Sequence, residues 1–310
     1  MAVTAAMVKE LRELSGAGMS DCKNALVESN GDIQGAVAIL REKGLAAAAK
    51  KAGRIAAEGL VSVALTEGRK SGAIVEINSE TDFVAKNDTF INFVQQTAKQ
   101  VLNSNATTVD ALLEEPWLEN NAETVKDVLT HKIATIGENL GIRRFERYVT
   151  SSDNSVVVEY IHGGGRVGVM VELTASNIND AVLEAGRNVC MQIAAMSPQF
   201  LKKEDVPKEF IDKEREILTQ QALNENSTAE KPKPENVIIQ MVEGRISKLF
   251  LKEICLLEQE YVKEGKQSVS EYLKTVGDIT INRFVRFEKG EGIEKKEENF
   301  AEEVSKAMNG

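Results

Sequence analysis

Apolar positions change their period along the chain. In the first 42 residues they fall three and four apart: Val8, Leu11 and Leu14, then Ala25 and Leu26, then Ile33, Ala36, Val37 and Leu40. That spacing predicts three short helices. Thr4, Ser20 and Asp32 stand where N-caps belong. Gly16-Ala17-Gly18 breaks the first helix, and Asn30-Gly31 marks a turn after the second. Short connections between apolar stripes make a compact three-helix module. Residues 43–59, KGLAAAAKKAGRIAAEG, carry alanine and basic residues with no large apolar face. They read as a linker, helical in part at most.

From residue 60 the period becomes two. Val61, Val63 and Leu65 alternate with small or polar residues, a turn follows at Glu67-Gly68, and Ala73 to Asn78 forms a second strand. A helix carrying Phe90, Phe93 and Val94 comes next, capped by Asn87 or Asp88. A further helix ends near Gly137, and a strand runs from Leu140 to Val149.

This unit recurs. Leu140-Gly-Ile-Arg-Arg-Phe-Glu-Arg-Tyr148 matches Ile279-Thr-Ile-Asn-Arg-Phe-Val-Arg-Phe287, 139 residues later. Gly72 to Ile77 matches Gly168 to Leu173, 96 residues later. Two copies of a strand-strand-helix-helix-strand unit account for both matches. The second copy must then hold about 43 extra residues before its last strand. Residues 200–246 supply them as two helical patterns, Phe210, Ile211, Ile217 and Leu218, then Ile238, Met241, Val242, Arg245 and Ile246. The prolines of NENSTAEKPKPEN separate the two. The result is an αα-hairpin, which can bury its apolar face on itself, on the core or on a second copy. In the tail, Phe300, Val304 and Met308 fall on one helix face, for the chain's own core or for a partner.

The fold class expected is α+β, with antiparallel sheets in both repeats. The divisions are 1–54 (helical module and linker), 55–149 (first repeat), 150–199 with 247–290 (second repeat), 200–246 (inserted hairpin) and 291–310 (C-terminal helical module).

Composition narrows the function. The net charge of −10 disfavours a phosphate backbone as partner, and aromatics at 5% leave little base-stacking surface. No direct nucleic-acid binding is expected. No apolar run approaches the roughly 18 residues of a membrane helix, and the N-terminus does not read as a signal peptide. Cys22, Cys190 and Cys255 have no paired spacing, so neither a disulfide framework nor a metal knuckle is expected, and a reducing cytosol fits. The two histidines, His131 and His162, lack a nucleophile signature nearby. HGGGRVGV lies between two strand patterns and lacks the Gly-Lys-Ser/Thr element, so it reads as a hairpin turn and not a phosphate loop. The expectation is a non-enzyme without cofactor or metal.

One loop stands apart: Glu80-Thr81-Asp82-Phe83-Val84-Ala85-Lys86-Asn87, between a buried strand and an amphipathic helix. Loops so placed often carry function. Phe83 and Val84 are apolar where turn residues belong. Either one of them is a hydrophobic staple on the coming helix, or they face a partner.

At this loop, Glu76-Ile-Asn-Ser-Glu-Thr-Asp-Phe-Val-Ala-Lys86 closely resembles the signature of the elongation factor Ts family, exchange factors for the GTPase elongation factor Tu. A second stretch, Leu11-Arg-Glu-Leu-Ser-Gly-Ala-Gly-Met-Ser-Asp-Cys-Lys-Asn-Ala-Leu26, resembles the family's N-terminal motif, with Ser15 where threonine is more frequent. The resemblance extends over essentially the whole chain. It implies a ubiquitin-associated-like N-terminal module, two repeated subdomains, a helical dimerisation insert and a C-terminal helical module. It further implies that Thr81, Asp82, Phe83 and Val84 intrude beside the partner's magnesium site, releasing GDP so that GTP rebinds. Lys9, Arg12, Met19 and Lys23 would dock the N-terminal module on the partner, and His162 lies in another contact stretch. A cytoplasmic location and a homodimer through residues 200–246 follow as expectations. Two rivals remain: a ubiquitin-like-binding adaptor built on residues 1–54, and an enzyme using Asp82 and Glu80 as acid and base.

Overall fold

A computed structural model of the chain describes residues 3–228 and 231–294. The expected C-terminal helix with Phe300, Val304 and Met308 lies outside the described residues.

Three helices open the chain: α1 (Ala5–Ser15), α2 (Met19–Glu28) and α3 (Ile33–Lys51). Thr4 caps α1 by accepting from the Met7 amide, and Asp32 caps α3 by accepting from the Gln34 and Gly35 amides. Leu11, Cys22, Ala25, Leu26 and Ala36 form the buried centre of this module.

Two expectations need correction here. Ser20 caps nothing: α2 starts one residue earlier, after an extended Gly18, with no side-chain cap. Residues 43–51 are not a linker but the second half of α3. The small residues there permit a close approach that a search for large apolar side chains misses. Gly44 is buried against Thr130 and Ala134, and Ala48 packs on the first-repeat core.

The first repeat contains β1 (Glu58–Leu65), β2 (Ser71–Ser79), α4 (Asp82–Ala85), α5 (Asp88–Asn103), α6 (Val109–Leu113), a small hairpin of β3 (Pro116–Trp117) and β4 (Asn120–Thr124), α7 (Val125–Ile136) and β5 (Gly141–Val149). The second contains β6 (Ser155–His162), β7 (Val167–Ala175), α8 (Asp180–Met196), the inserted helices α9 (Lys208–Ser227) and α10 (Glu235–Arg245), α11 (Leu251–Ile254), α12 (Val269–Val276) and β8 (Ile279–Glu288). A π-turn at Ile246–Phe250 joins α10 to α11.

The sheets repeat as the sequence does. One has the antiparallel order β1-β2-β5, the other β6-β7-β8. Each has an irregularity at the same place on its central strand, Glu76/Ile77 in one and Glu172/Leu173 in the other. The fold is α+β, as expected.

Side-chain alternation decides how the layers stack. Ala73, Val75 and Ile77 face α5 and α7, while Ile74 faces the other sheet. In the second copy Val169, Val171 and Leu173 face α8 and α12, while Met170 faces the first sheet. The molecule's centre is therefore four layers deep, helices outside and two sheets inside, and both central strands are buried on both faces. That explains their nearly continuous apolar runs.

The repeated Arg and aromatic residues tie the copies together. The Arg144 guanidinium lies 4.3 Å from the Phe287 ring centroid, and Arg283, its counterpart, lies 4.0 Å from that of Tyr148. Arg144 pairs with buried Glu76 at 2.6 Å, and Arg283 with buried Glu172 at 2.7 Å. Gly290 closes the first network: its amide donates to Glu76, its φ is 69°, and a Cβ would strike the Ala57 carbonyl.

Candidate functional site

Every residue of β2 from Gly72 to Ser79 is buried, so the chain leaves the core abruptly after Ser79. Thr81 then caps the one-turn helix α4, its Oγ1 accepting from the Val84 amide at 3.4 Å. Asn87 caps α5 by accepting from the Thr89 amide at 2.8 Å. Between these two caps the backbone has little freedom.

Successive residues of a helix point about 100° apart. Burying Ala85 and half-burying Val84 against the first-repeat core therefore leaves Phe83 facing away. Phe83 is 79% exposed. Of the two alternatives for this loop, Val84 packs as a staple would, and Phe83 does not. Lys86 donates to Asp82 at 2.7 Å and stands 5.8 Å from the Phe83 ring centroid. Its hydrogen bond holds the Asp82 carboxyl below its ordinary value.

Thr81 is held from outside the turn. Its Oγ1 donates to Glu138 at 2.6 Å, and its amide donates to the same carboxylate at 3.0 Å. Glu80 accepts from the Asn139 amide at 2.6 Å. Asp82 is exposed and ionised beside Lys86, and Glu80 is occupied with a backbone amide. Among the described residues, no group of three or more His, Cys, Asp or Glu could hold a metal ion.

His162 is exposed at the tip of the β6–β7 hairpin, with Nδ1 3.0 Å from the Tyr160 hydroxyl. The HGGGRVGV segment is thus a hairpin turn, as expected. Its tip is docked on β1, because the Val61 amide donates to the Gly165 carbonyl at 2.8 Å. Helix α4 packs on β1 too, and the field at Asp82 includes Glu58, the first residue of β1. Phe83 and the His162 hairpin therefore share the same strand as support.

Lys9, Arg12, Met19 and Lys23 are exposed on the helical module, with Met19 at 61%. Lys9 makes a loose pair with Glu13 at 3.8 Å. The module is not detached from the core. Arg41 pairs with Asp127 of α7 at 2.6 Å, and a cleft of about 360 Å³ between them is lined by Leu14, Val37, Leu40, Glu123 and His131. No helix among the described residues is long and apolar enough to cross a membrane.

Glu138, Asn139 and Arg54 also belong to the site, though no sequence pattern points to them. Each reaches the turn across the fold, and nothing in its local sequence marks it.

Comparison with known proteins gives the family. The family model described as "Elongation factor TS" matches residues 80–291. An elongation factor Ts of Clostridium perfringens strain SM101 is 55% identical over 309 residues, covering 98% of each chain. One from Clostridium botulinum strain Eklund 17B is 53% identical over 311 residues, covering 99% of each. One from Clostridium novyi strain NT is 51% identical over 312 residues, again covering 99% of each.

Proposed function

The chain belongs to the elongation factor Ts family of translation elongation factors, and on that premise we propose that it binds GDP-loaded elongation factor Tu and speeds loss of GDP, acting by contact and not as an enzyme. The observation that carries this reading is Phe83, a large apolar side chain 79% exposed on a backbone fixed at both ends. Such a ring loses nothing on leaving its own fold and gains about 1.5–3 kcal/mol on entering an apolar crevice. The proposed crevice borders the partner's magnesium site. A divalent ion is the largest local charge in such a site, so displacing the groups that hold it weakens the nucleotide strongly. The exposed Asp82 carboxylate adds a negative charge close by.

Magnitudes limit what Phe83 does alone. A thousandfold faster release requires about 4 kcal/mol off the barrier. The remainder must come from a broader interface, for which Lys9, Arg12, Met19 and Lys23 on the module and His162 on the hairpin are the proposed contacts. Coupling between sites is reciprocal. Bound nucleotide must weaken the factor's grip by the same ratio, so GTP rebinding frees the factor to act again in the cytoplasm. The hairpin residues Ile217, Leu223 and Ile239 are exposed and apolar, which supports pairing of two copies through residues 200–246.

The test is release of a fluorescent GDP from elongation factor Tu on addition of substoichiometric full-length chain. Complete release at a rate proportional to the amount added is expected. Release no faster than the unassisted rate contradicts the reading. Binding by residues 1–54 alone, with full effect, would favour the adaptor reading.

A further inference from the structure

We propose that Glu138 is the positioning residue for Phe83, holding the exchange turn in its working geometry before any partner arrives. The inference rests on the exchange reading above and adds to it a residue that acts through the turn.

A one-turn helix has almost no stability of its own, because nucleation costs more than its few hydrogen bonds return. Phe83 contributes no packing to hold α4 in place, since its ring is turned to solvent. Something else must fix the start of the turn. Glu138 does so with both carboxylate oxygens. Its Oε2 accepts from the Glu80 and Thr81 amides, each at 3.0 Å, and its Oε1 accepts from the Thr81 hydroxyl at 2.6 Å. The Thr81 Oγ1 that donates to Glu138 is the same atom that accepts from the Val84 amide. A hydroxyl can do both at once, so one carboxylate orients the cap that starts α4.

The bond is returned. The Glu80 carboxylate accepts from the Asn139 amide at 2.6 Å and from Arg54 at 3.4 Å. The Asn139 side-chain amide in turn donates to the Arg54 carbonyl at 2.8 Å. Two adjacent residues at the end of β2 and two at the α7–β5 junction thus grip each other through two carboxylates, and the chain just beyond α3 joins them. Helix α7 stops at Gly137, in left-handed conformation, which delivers Glu138 to this place. Charged acceptors make the stronger hydrogen bonds, and a group held ready in its bound geometry loses less on association.

The test measures maximal stimulated release of fluorescent GDP from elongation factor Tu with full-length variants. Glu138→Ala is expected to lower that rate about tenfold, the scale of losing charge-assisted hydrogen bonds. Glu138→Gln is expected to stay within about threefold of the parent, since its amide oxygen still accepts from both backbone amides. In a Phe83→Ala background, adding Glu138→Ala should change nothing further, because its effect passes through the ring. A merely structural role would slow release by the same factor in both backgrounds, and that result overturns the inference. So does Glu138→Ala at the parental rate while Phe83→Ala is slow, which leaves the exchange reading standing. Phe83→Ala at the parental rate removes both. Should Glu138→Ala fail to fold by circular dichroism, Glu138→Ser, whose side chain is too short to reach the Glu80 and Thr81 amides, replaces it with the same expectations.

Discussion

Glu172 stands on the face of β7 turned toward the other sheet, only 1% exposed. Burial alone would raise its pKa. The Ser151 amide and the Arg283 guanidinium outweigh that and hold the carboxyl below its ordinary value. A depressed folded pKa gives stability that is fully present above the unfolded value, about 4.3, and is lost as pH falls through the folded one. Glu172→Gln should therefore lower stability at pH 7 by about 1–3 kcal/mol, measured by urea unfolding, with the gap to the parent closing below about pH 4. The thiols make a second residue-scale case. Cys22, Cys190 and Cys255 are all buried. Burial pushes the Cys255 thiol up to about 11 and that of Cys190 further still. An aromatic disulfide reagent at neutral pH should find no fast-reacting thiol in the native chain and three after denaturation. A rapid native reaction at any of them would contradict the packing described.

At the scale of elements, the two central strands cross where their side chains are smallest. A Cβ on Gly72 would meet the Met170 sulfur at 2.6 Å, and one on Gly168 would meet Val61 Cγ1 at 2.4 Å. These glycines occupy matching places in the repeat. Gly168→Ala should cost about 1–3 kcal/mol through overpacking, seen as a lower urea midpoint with unchanged slope. Much of this layout was legible in the sequence, because residues that match between the repeats take part in the contacts across it: Arg144 stacks on Phe287 and its match Arg283 on Tyr148, while the matching Gly72 and Gly168 allow the close approach. The caps Thr4, Asp32 and Asn87 were legible for a local reason, since each satisfies amides two or three residues ahead. Ser20 misled because α2 begins at Met19, behind Gly18, which offers no side-chain cap. The long α3 was hidden because Gly44 and Ala48 pack by being small. Phe83 was visible as an apolar residue in a turn, but its direction depends on which face of α4 is buried. The Glu138 grip spans 57 residues to Thr81 and leaves no local sign.

At the scale of the molecule, the helices-sheet-sheet-helices centre supports the Phe83 turn and the His162 hairpin on the same strand, β1. The hairpin of α9 and α10 instead packs largely on itself, around Ala222, Ile238, Val242 and Ile246. Its exposed Ile217, Leu223 and Ile239 lead to an expected mass of two chains by light scattering, reduced to one chain by Ile239→Asp. A one-chain mass for the parent would remove the dimer from the account while leaving the exchange turn untouched. The central claim concerns that turn: an outward aromatic ring on a fixed backbone opens another protein's nucleotide site. Its most direct measurement is the maximal rate of GDP release from elongation factor Tu stimulated by Phe83→Ala, read beside the variant's own thermal melt. The account predicts release slowed about tenfold or more, the worth of one buried phenylalanine, with a melt matching the parent's. Release at the parental rate by a normally folded variant would contradict it.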